Sequence, residues 1–588
     1  MAAAPEQRER IATVTAWAIA AAASVAYGLS FGFTYGVNNQ TEYMLGALRK
    51  LDPSLLANDW LAAHTLNYHP AFAYLGWLLL AVGGRGGWAV GVATVVAASA
   101  GALSLHWLAR RLLPAGVALP AFLLTVAAML ATGTRAMAGS YAFDPIFQPS
   151  AIGSVALLAS LAPFVEGRWL LSGVLLAAGG LFHANYLVLG LATFGLAHLA
   201  LGWKGIAARA LRHLGPSLVV LAVLSPVIFR AVRGGTDVAR AQEILFDIRS
   251  PHHYHPRSFI GEFYPFLAWQ ALGLAAGGWV FRRGDGRGRR FGAVILGLLA
   301  VVWIGSTLAI VFEMKRATQL FVWRFAPYLD VLMQLLVAAT VVNRLLAPGL
   351  RLRLTAGVTG ACFAGAAGLG IAMTGRSEPT RDWLGWMGGA CALGVALHAI
   401  GPFAARMPAP VRSLATRAGP WVATAAAALL LALTVKPALD TLRARSNLLT
   451  GMPGAETDLY HWIAASTPKD AVFLSPPGLE RFRLGSERAI VADWKGVTYA
   501  PGELLEWYHR LEELSGRRGL RSREEVVAGY DAMDRPRLER LREEYHPSYA
   551  VVGRGREGAL GYRSVYGNGQ FSVIDLRPDA AAPGPAPR

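Results

Sequence analysis

Long apolar runs alternate with short polar connections over the first three quarters of the chain, and this pattern predicts a bundle of membrane-spanning helices. We predict about 13 spans, at residues 11–33, 87–108, 116–133, 149–165, 169–182, 188–202, 214–230, 263–281, 291–313, 325–346, 352–374, 384–402 and 419–437. The apolar segment 70–83 is short for a span, and we predict a helix lying on the outer membrane surface.

The pattern changes after residue 440. Two segments, DLYHWIAAST and ELLEWYHRLEEL, have the spacing of amphipathic helices, whereas AVFLSPP, AIVADW, YAVVG and QFSVIDL read as short strands. We therefore predict an all-α polytopic membrane bundle over 1–440, including a long first outer loop at 34–86, followed by a small soluble α/β domain over 441–578. The Pro/Ala-rich end, 579–588, is predicted to be disordered.

Charge is unevenly distributed. The chain has a net charge of +18, but residues 441–588 hold 21 basic and 20 acidic residues, so the excess lies in the membrane part. The positive-inside bias explains such an excess without nucleic acid. Basic residues concentrate in connections such as FRRGDGRGRR, which places the N-terminus in the cytoplasm and the C-terminal domain outside. Two cysteines, both within apolar runs, exclude a disulfide framework and a cysteine zinc site.

Two acids in the first outer loop are candidates for a general base. Asp59 precedes the apolar WLAAH at a membrane interface, and Glu42 lies on a predicted surface helix. A carboxylate near apolar surface can have a raised pKa and accept a proton at neutral pH. Asp59 could instead cap a helix, and Glu42 could be a solvated helix residue.

The remaining outer loops add polar groups that could line one cavity. They are Asp144 and Gln148 in SYAFDPIFQPS, His183 in FHANY, His252, His253 and Arg257 in SPHHYHPRSF, and Gln319 and Arg324 in KRATQLFVWRF. The histidines and arginines could bind a phosphate, and an anionic partner for Arg324 could be Glu313, Asp330 or that phosphate. Helix capping, burial in the core and an ordinary interfacial loop are the alternatives. We predict no metal site, although the HxH pair leaves a divalent metal open.

Several motifs are missing: the sequence holds no P-loop, no GxSxG and no HExxH. The order of features instead resembles the C-type glycosyltransferase (GT-C) superfamily of polytopic membrane enzymes. The likeness rests on one N-terminal span, a long outer loop with acids, a helix opening at His69-Pro70, a span ending in LARRL, and a C-terminal domain outside. The stretches FQPS, FHANY and FRLGSERAIVADWKGVTYAPGELLEWYHRL further resemble a bacterial branch of such proteins. The segment after the first span, NNQTEY, lacks the paired acids of many members.

The resemblance implies transfer of a sugar from a polyprenyl-phosphate carrier to an envelope glycan, lipid or protein, at the outer face of the bacterial inner membrane. The base would be Asp59 or Glu42, and the carrier's phosphate would lie on Arg324, with His252, His253 or Arg257. Two alternatives stay open: a non-catalytic protein that binds the glycan or its lipid carrier, and a transporter of lipid-linked sugars. Membrane lipids are expected partners in each case, and nucleic acid in none.

Overall fold

The computed structural model describes residues 5–232, 237–346, 424 and 454–577. In the membrane part the helices are Pro5–Leu29 (α1), Gln40–Tyr43 (α2), Leu45–Leu51 (α3), Pro70–Gly83 (α4), Trp88–Leu112 (α5), Ala115–Thr132 (α6), Pro149–Glu166 (α7), Trp169–Phe182 (α8), Ala184–Ala200 (α9), Ile206–Val232 (α10), Val238–Glu243 (α11), Pro251–Tyr254 (α12), Ile260–Phe281 (α13), Arg287–Ile310 (α14), Lys315–Gln319 (α15) and Ala326–Leu346 (α16). Short π turns at Trp60–His64 and Ile244–Arg249, 3-10 turns at Met137–Gly139, Pro256–Ser258 and Val322–Phe325, and a hairpin of Arg135–Ala136 (β1) with Ser140–Tyr141 (β2) connect them.

The chain is a multi-pass membrane protein with a mostly helical fold. Six described helices are long and apolar enough to cross a bilayer: Glu9–Leu29, Trp88–Leu112, Pro149–Glu166, Ile206–Arg230, Arg287–Ile310 and Val322–Leu346. Each of the first ten predicted spans coincides with a helix. The predicted spans 352–374, 384–402 and 419–437 lie outside the described residues, so the count of about 13 is not confirmed. Segment 70–83 forms one helix, α4, and its place at the membrane surface stays a prediction.

Close helix packing is visible between α8 and α10. A Cβ on Gly173 would overlap the backbone carbonyl of His213, so the two helices touch through their main chains. Beside this contact, Arg209 donates to His198 (3.1 Å), His198 to His213 (3.0 Å), His213 to Ser172 (2.9 Å), and Ser172 to a carbonyl of α7 (2.8 Å). Since arginine can only donate and a carbonyl can only accept, both imidazoles are neutral and carry their proton on Nε2. The chain of bonds joins four helices.

The C-terminal part is a small α/β unit, as the alternation of strands and helices predicts. Its sheet contains Val472–Leu474 (β3), Ala489–Ile490 (β4), Tyr549–Gly553 (β5), Ser564–Gly567 (β6) and Phe571–Asp575 (β7), in the order β4-β3-β5-β7-β6. Strand β3 is parallel to β4 and β5, whereas β7 is antiparallel to β5 and β6. The helices are Ala455–Ser466, Phe482–Ser486, Pro501–Ser515, Arg523–Asp531, Arg535–Tyr545 and Glu557–Leu560.

The long connections of the membrane part that are predicted to face outward pack onto this unit. Ala241, Ile244 and Phe246, from α11 and the π turn after it, are buried in one apolar cluster with Trp494 and Trp507 of the C-terminal part. Burial of this apolar surface fixes the unit above the bundle. The predicted domain boundaries at 440 and 578, and the predicted tail 579–588, lie outside the described residues.

Candidate functional site

Arg324 lies in the 3-10 turn Val322–Phe325, just before α16, and forms no ion pair with an acid in the described chain. Its guanidinium is 4.8 Å from the ring centre of Phe321 and 5.9 Å from that of Tyr186. Its Nε is buried and has no hydrogen-bond partner. Neither Glu313 nor Asp330, the two acids near it in sequence, forms an ion pair with it. The guanidinium is therefore available to an anion from outside the protein.

Asp144 approaches Arg324 from the loop between β2 and α7. Burial raises the pKa of its carboxyl, while hydrogen bonds from Ser150 and Gln148 and the charge of Arg324 act in the opposite direction. Gln148 also accepts a hydrogen bond from Asn39 of the first outer loop (3.1 Å). These contacts bring together two residues that are predicted to bind substrate, Asp144 and Gln148, and place them beside α2.

Histidines from three connections surround the same space. His183, at the break between α8 and α9, lies 5.0 Å from His69, the residue before α4. His69 in turn lies 5.0 Å from Tyr43 and donates to the carbonyl of Phe182 (2.9 Å). The Nδ1 of His183 is buried and has no partner, so it can still bind a ligand.

His253 joins the cluster from α12. Its Nδ1 donates to the carbonyl of Ala138 (2.7 Å), and its ring lies 5.3 Å from Phe321. Both Ala138 and Phe321 have a left-handed backbone, with φ of 59° and 48°. This conformation is uncommon for residues other than glycine and often marks a functional site. The ring of His252 lies 4.1 Å from that of His253, tilted by 44°, but His252 is itself exposed.

Glu42 lies on α2, half-buried at the side of the cluster that faces the C-terminal unit. Burial raises the pKa of its carboxyl to about 7, against the opposing charges of Lys495 and Arg249. Arg249 donates to the carbonyl of Lys495 (3.2 Å), which ties the π turn before α12 to the loop after β4. A carboxylate whose pKa is near neutrality is suited to accept a proton under physiological conditions.

Asp59 has a different environment. It is fully buried, accepts from the backbone amide of Ala62 (2.8 Å) as a helix cap, and accepts from Arg483 (2.7 Å) and from the amide of Ile490 (3.0 Å). Arg483 also binds Asp493 (2.5 Å). We name Asp59, Arg483 and Asp493 the docking triad, because they join the first outer loop to the C-terminal unit. Of the two readings of Asp59 from sequence, the geometry favours the cap.

Other candidates lie outside the cluster. Arg257 is exposed and Gln319 is half-buried, and neither makes an ion pair or a side-chain hydrogen bond in the described chain. No group of three His, Cys, Asp or Glu side chains among the described residues is arranged to hold a metal. The prediction that the protein needs no metal remains untested. We define the outer cluster as Glu42, Tyr43, His69, Asp144, His183, His253 and Arg324.

Comparison with known proteins identifies the fold. The chain matches crystal structures of ArnT from Cupriavidus metallidurans, bound to undecaprenyl phosphate (TM-score 0.51, 15% identity) and in the apo state (TM-score 0.52, 16% identity). The alignments cover 97% of this chain and 99% and 100% of ArnT. The oligosaccharyltransferase of Archaeoglobus fulgidus, tethered with an acceptor peptide, matches with a TM-score of 0.44 and 12% identity, over 96% of this chain and 74% of that one. The two matches to ArnT confirm the GT-C fold expected from the sequence.

Sequence comparison adds one match, in the C-terminal part. Residues 454–514 match a family described as a domain of unknown function (DUF6798). No curated protein matches the sequence. The matched segment includes both Arg483 and Asp493 of the docking triad, together with Lys495, which faces Glu42.

Proposed function

We propose that this chain is a membrane glycosyltransferase that moves a sugar from a polyprenyl-phosphate carrier to an envelope acceptor at the outer face of the inner membrane. The observation that carries the proposal is the unpaired Arg324, set among an acid and three histidines in a fold shared with ArnT over nearly the full length of both chains. The ArnT structure holds undecaprenyl phosphate, and Arg324 offers this chain a cation for the phosphate of such a carrier.

The chemistry needs a base and an anion site on the same side of the membrane. Glu42, or Asp144 as the alternative, takes the proton of the acceptor hydroxyl as its oxygen attacks the anomeric carbon. The bond from that carbon to the carrier's phosphate oxygen breaks, and the departing phosphate keeps the electron pair. Arg324 stabilises the charge that develops on this oxygen. Asp59, which is fixed by its bond to Arg483 within the docking triad, positions the loop that carries Glu42.

The first experiment identifies the bound lipid. The full chain is purified from membranes, and its co-purified lipids are analysed by mass spectrometry, with Arg324→Gln and Arg257→Gln prepared in parallel. We expect a polyprenyl-phosphate species, with or without a sugar, to accompany the wild type and Arg257→Gln and to be depleted at least tenfold in Arg324→Gln. Equal retention by all three would contradict the role of Arg324.

The second experiment separates an enzyme from a binding protein or transporter. Membranes that contain each variant are assayed for consumption of the sugar-loaded carrier found above. We expect Glu42→Gln to lose transfer by roughly 100-fold or more, as removal of a general base does, while still binding the carrier. Asp285→Asn, a carboxyl change in the loop between α13 and α14, serves as control. Binding without turnover in the wild type would favour the non-catalytic alternative.

The proposal also depends on sidedness. A C-terminal alkaline phosphatase fusion should be active and a green fluorescent protein fusion dark, because the C-terminal unit is expected outside the cytoplasm. The reverse result would place the outer cluster in the cytoplasm and exclude a reaction at the outer face.

A further inference from the structure

A cavity lies beneath the β1–β2 hairpin, between α6, α13 and α16. Its lining includes Thr132, Thr134, Arg135, Glu262, Trp269, Asp330 and Gln334. Arg135 at its rim pairs with Glu262 (2.7 Å), so these two charges neutralise each other. The cavity is distinct from the outer cluster, because none of the residues that line it belongs to that cluster.

Two acceptor oxygens in this cavity have no partner. The Oε1 of Gln334, a side chain only 3% exposed, and the Oδ1 of Asp330 are both buried and accept no hydrogen bond. They are one helical turn apart, so they lie on the same side of α16. Thr132 uses its hydrogen on the carbonyl of Ala128 (3.0 Å), which leaves the lone pairs of its oxygen free. Buried acceptor oxygens that receive no hydrogen bond are stabilised when a cation or a proton binds to them.

Charge decides which cation fits. Asp330 forms no ion pair in the part of the chain that the structure describes, and a buried, unpaired carboxylate is strongly unfavourable. A cation bound beside Asp330 would remove this cost by pairing with the carboxylate. Water molecules could satisfy the two oxygens but would leave the charge. One carboxylate with two neutral oxygens matches a single positive charge, whereas divalent sites usually gather several carboxylates.

We propose that Asp330, Gln334 and Thr132 bind a monovalent metal cation of the sodium class. Hard oxygen ligands suit this class, and a lone acid inside a membrane bundle is a frequent mark of an ion site. The ion would lie directly below the hairpin, whose Ala138 carbonyl holds His253 of the outer cluster. Its binding would therefore hold α6 and α16 together below the hairpin. The inference does not depend on the transfer reaction.

The test uses the full chain in detergent, with NaCl replaced stepwise by choline chloride at constant ionic strength. Thermal unfolding and binding of radioactive sodium ion are measured for the wild type, Asp330→Asn, Gln334→Leu and the control Asp285→Asn. We expect saturable sodium binding and a rise of several degrees in the unfolding temperature for the wild type and the control. Asp330→Asn should lose both, and Gln334→Leu should need at least ten times more sodium.

Three results would overturn the proposal. They are no sodium binding by the wild type, a sodium response that persists in Asp330→Asn, and a response to magnesium alone. An equal response to potassium that Asp330→Asn abolishes would support the monovalent class. Should Asp330→Asn fail to fold, the sodium binding of the wild type and of Gln334→Leu decides the matter.

Discussion

Replacing Glu42 with glutamine should make the protein more stable at alkaline pH and inactive in sugar transfer. Burial raises the pKa of this carboxyl from 4.5 to about 7. The unfolded chain loses the proton near pH 4.5, whereas the folded chain keeps it until about pH 7. Stability therefore falls as pH rises through this interval and stays lowered above it. At about 1.4 kcal/mol for each pKa unit, the cost reaches at most about 3–4 kcal/mol.

The actual gain should be smaller than this limit, because Glu42 is half-buried and water reaches part of the side chain. We expect Glu42→Gln to exceed the wild type by roughly 1–2 kcal/mol at pH 8, with no difference near pH 4. The measurement is thermal or urea unfolding of the detergent-solubilised full chain at both pH values, with Asp285→Asn as control. Transfer by the wild type should fall as pH drops below about 7, because the base becomes protonated.

Two outcomes would refute this reasoning. If Glu42→Gln is equally destabilised at pH 4 and pH 8, the carboxyl makes a structural contact that does not depend on its charge. If the variant keeps transfer with the same acid limb, the titrating base is another group, and Asp144 becomes the first candidate. The combination of higher stability and lost activity is the signature of a catalytic carboxylate kept in an unfavourable environment.

Three further changes test the packing that holds the site. Arg483→Ala leaves two buried carboxylates without their partner and should lower the free energy of unfolding by about 3–5 kcal/mol. The loss should be seen as early unfolding and protease sensitivity of the C-terminal unit. The control Arg523→Ala, at an exposed arginine, should cost below about 1 kcal/mol. Gly173→Ala should strongly destabilise the bundle because the new methyl group overlaps the backbone of α10, whereas Gly195→Ala, which meets no atom, should be neutral or slightly stabilising. Ser172→Ala leaves a buried imidazole N–H unpaired and should lower stability by about 1–3 kcal/mol in thermal unfolding; an unchanged melting temperature would contradict the bonded chain.

The spans and much of the site could be predicted because both follow from local patterns. An apolar run of sufficient length specifies a spanning helix wherever it lies in the chain, and all ten predicted spans that fall in described residues are helices. Alternate connections of a bundle emerge on one face, so the polar residues of those connections meet there. This rule brought Asp144, His183, His253 and Arg324 into one cluster.

The partners of the site residues could not be predicted from spacing. Arg483 lies 424 positions after Asp59, and only the docking of the C-terminal unit on the first outer loop joins them. Lys495, which faces Glu42, depends on the same docking. His69 was visible only as the residue that opens α4. Arg257 and Gln319 share the sequence neighbourhood of the cluster, but in the described chain neither forms an ion pair or a side-chain hydrogen bond.

The pairing of charges separates the three outer acids by role. Asp59 has each oxygen occupied by a fixed donor, so taking a proton would cost it an ion pair and a helix cap. Asp144 is held by Ser150 and Gln148 and lies beside Arg324, where its negative charge would compete with a bound phosphate. Glu42 interacts with the charges of Lys495 and Arg249 at longer range, and its pKa is about 7. If Glu42 is the base, transfer by Asp144→Asn should still fall as pH drops below about 7, while carrier binding changes. If that fall is lost in Asp144→Asn, Asp144 is the base and Glu42 is not.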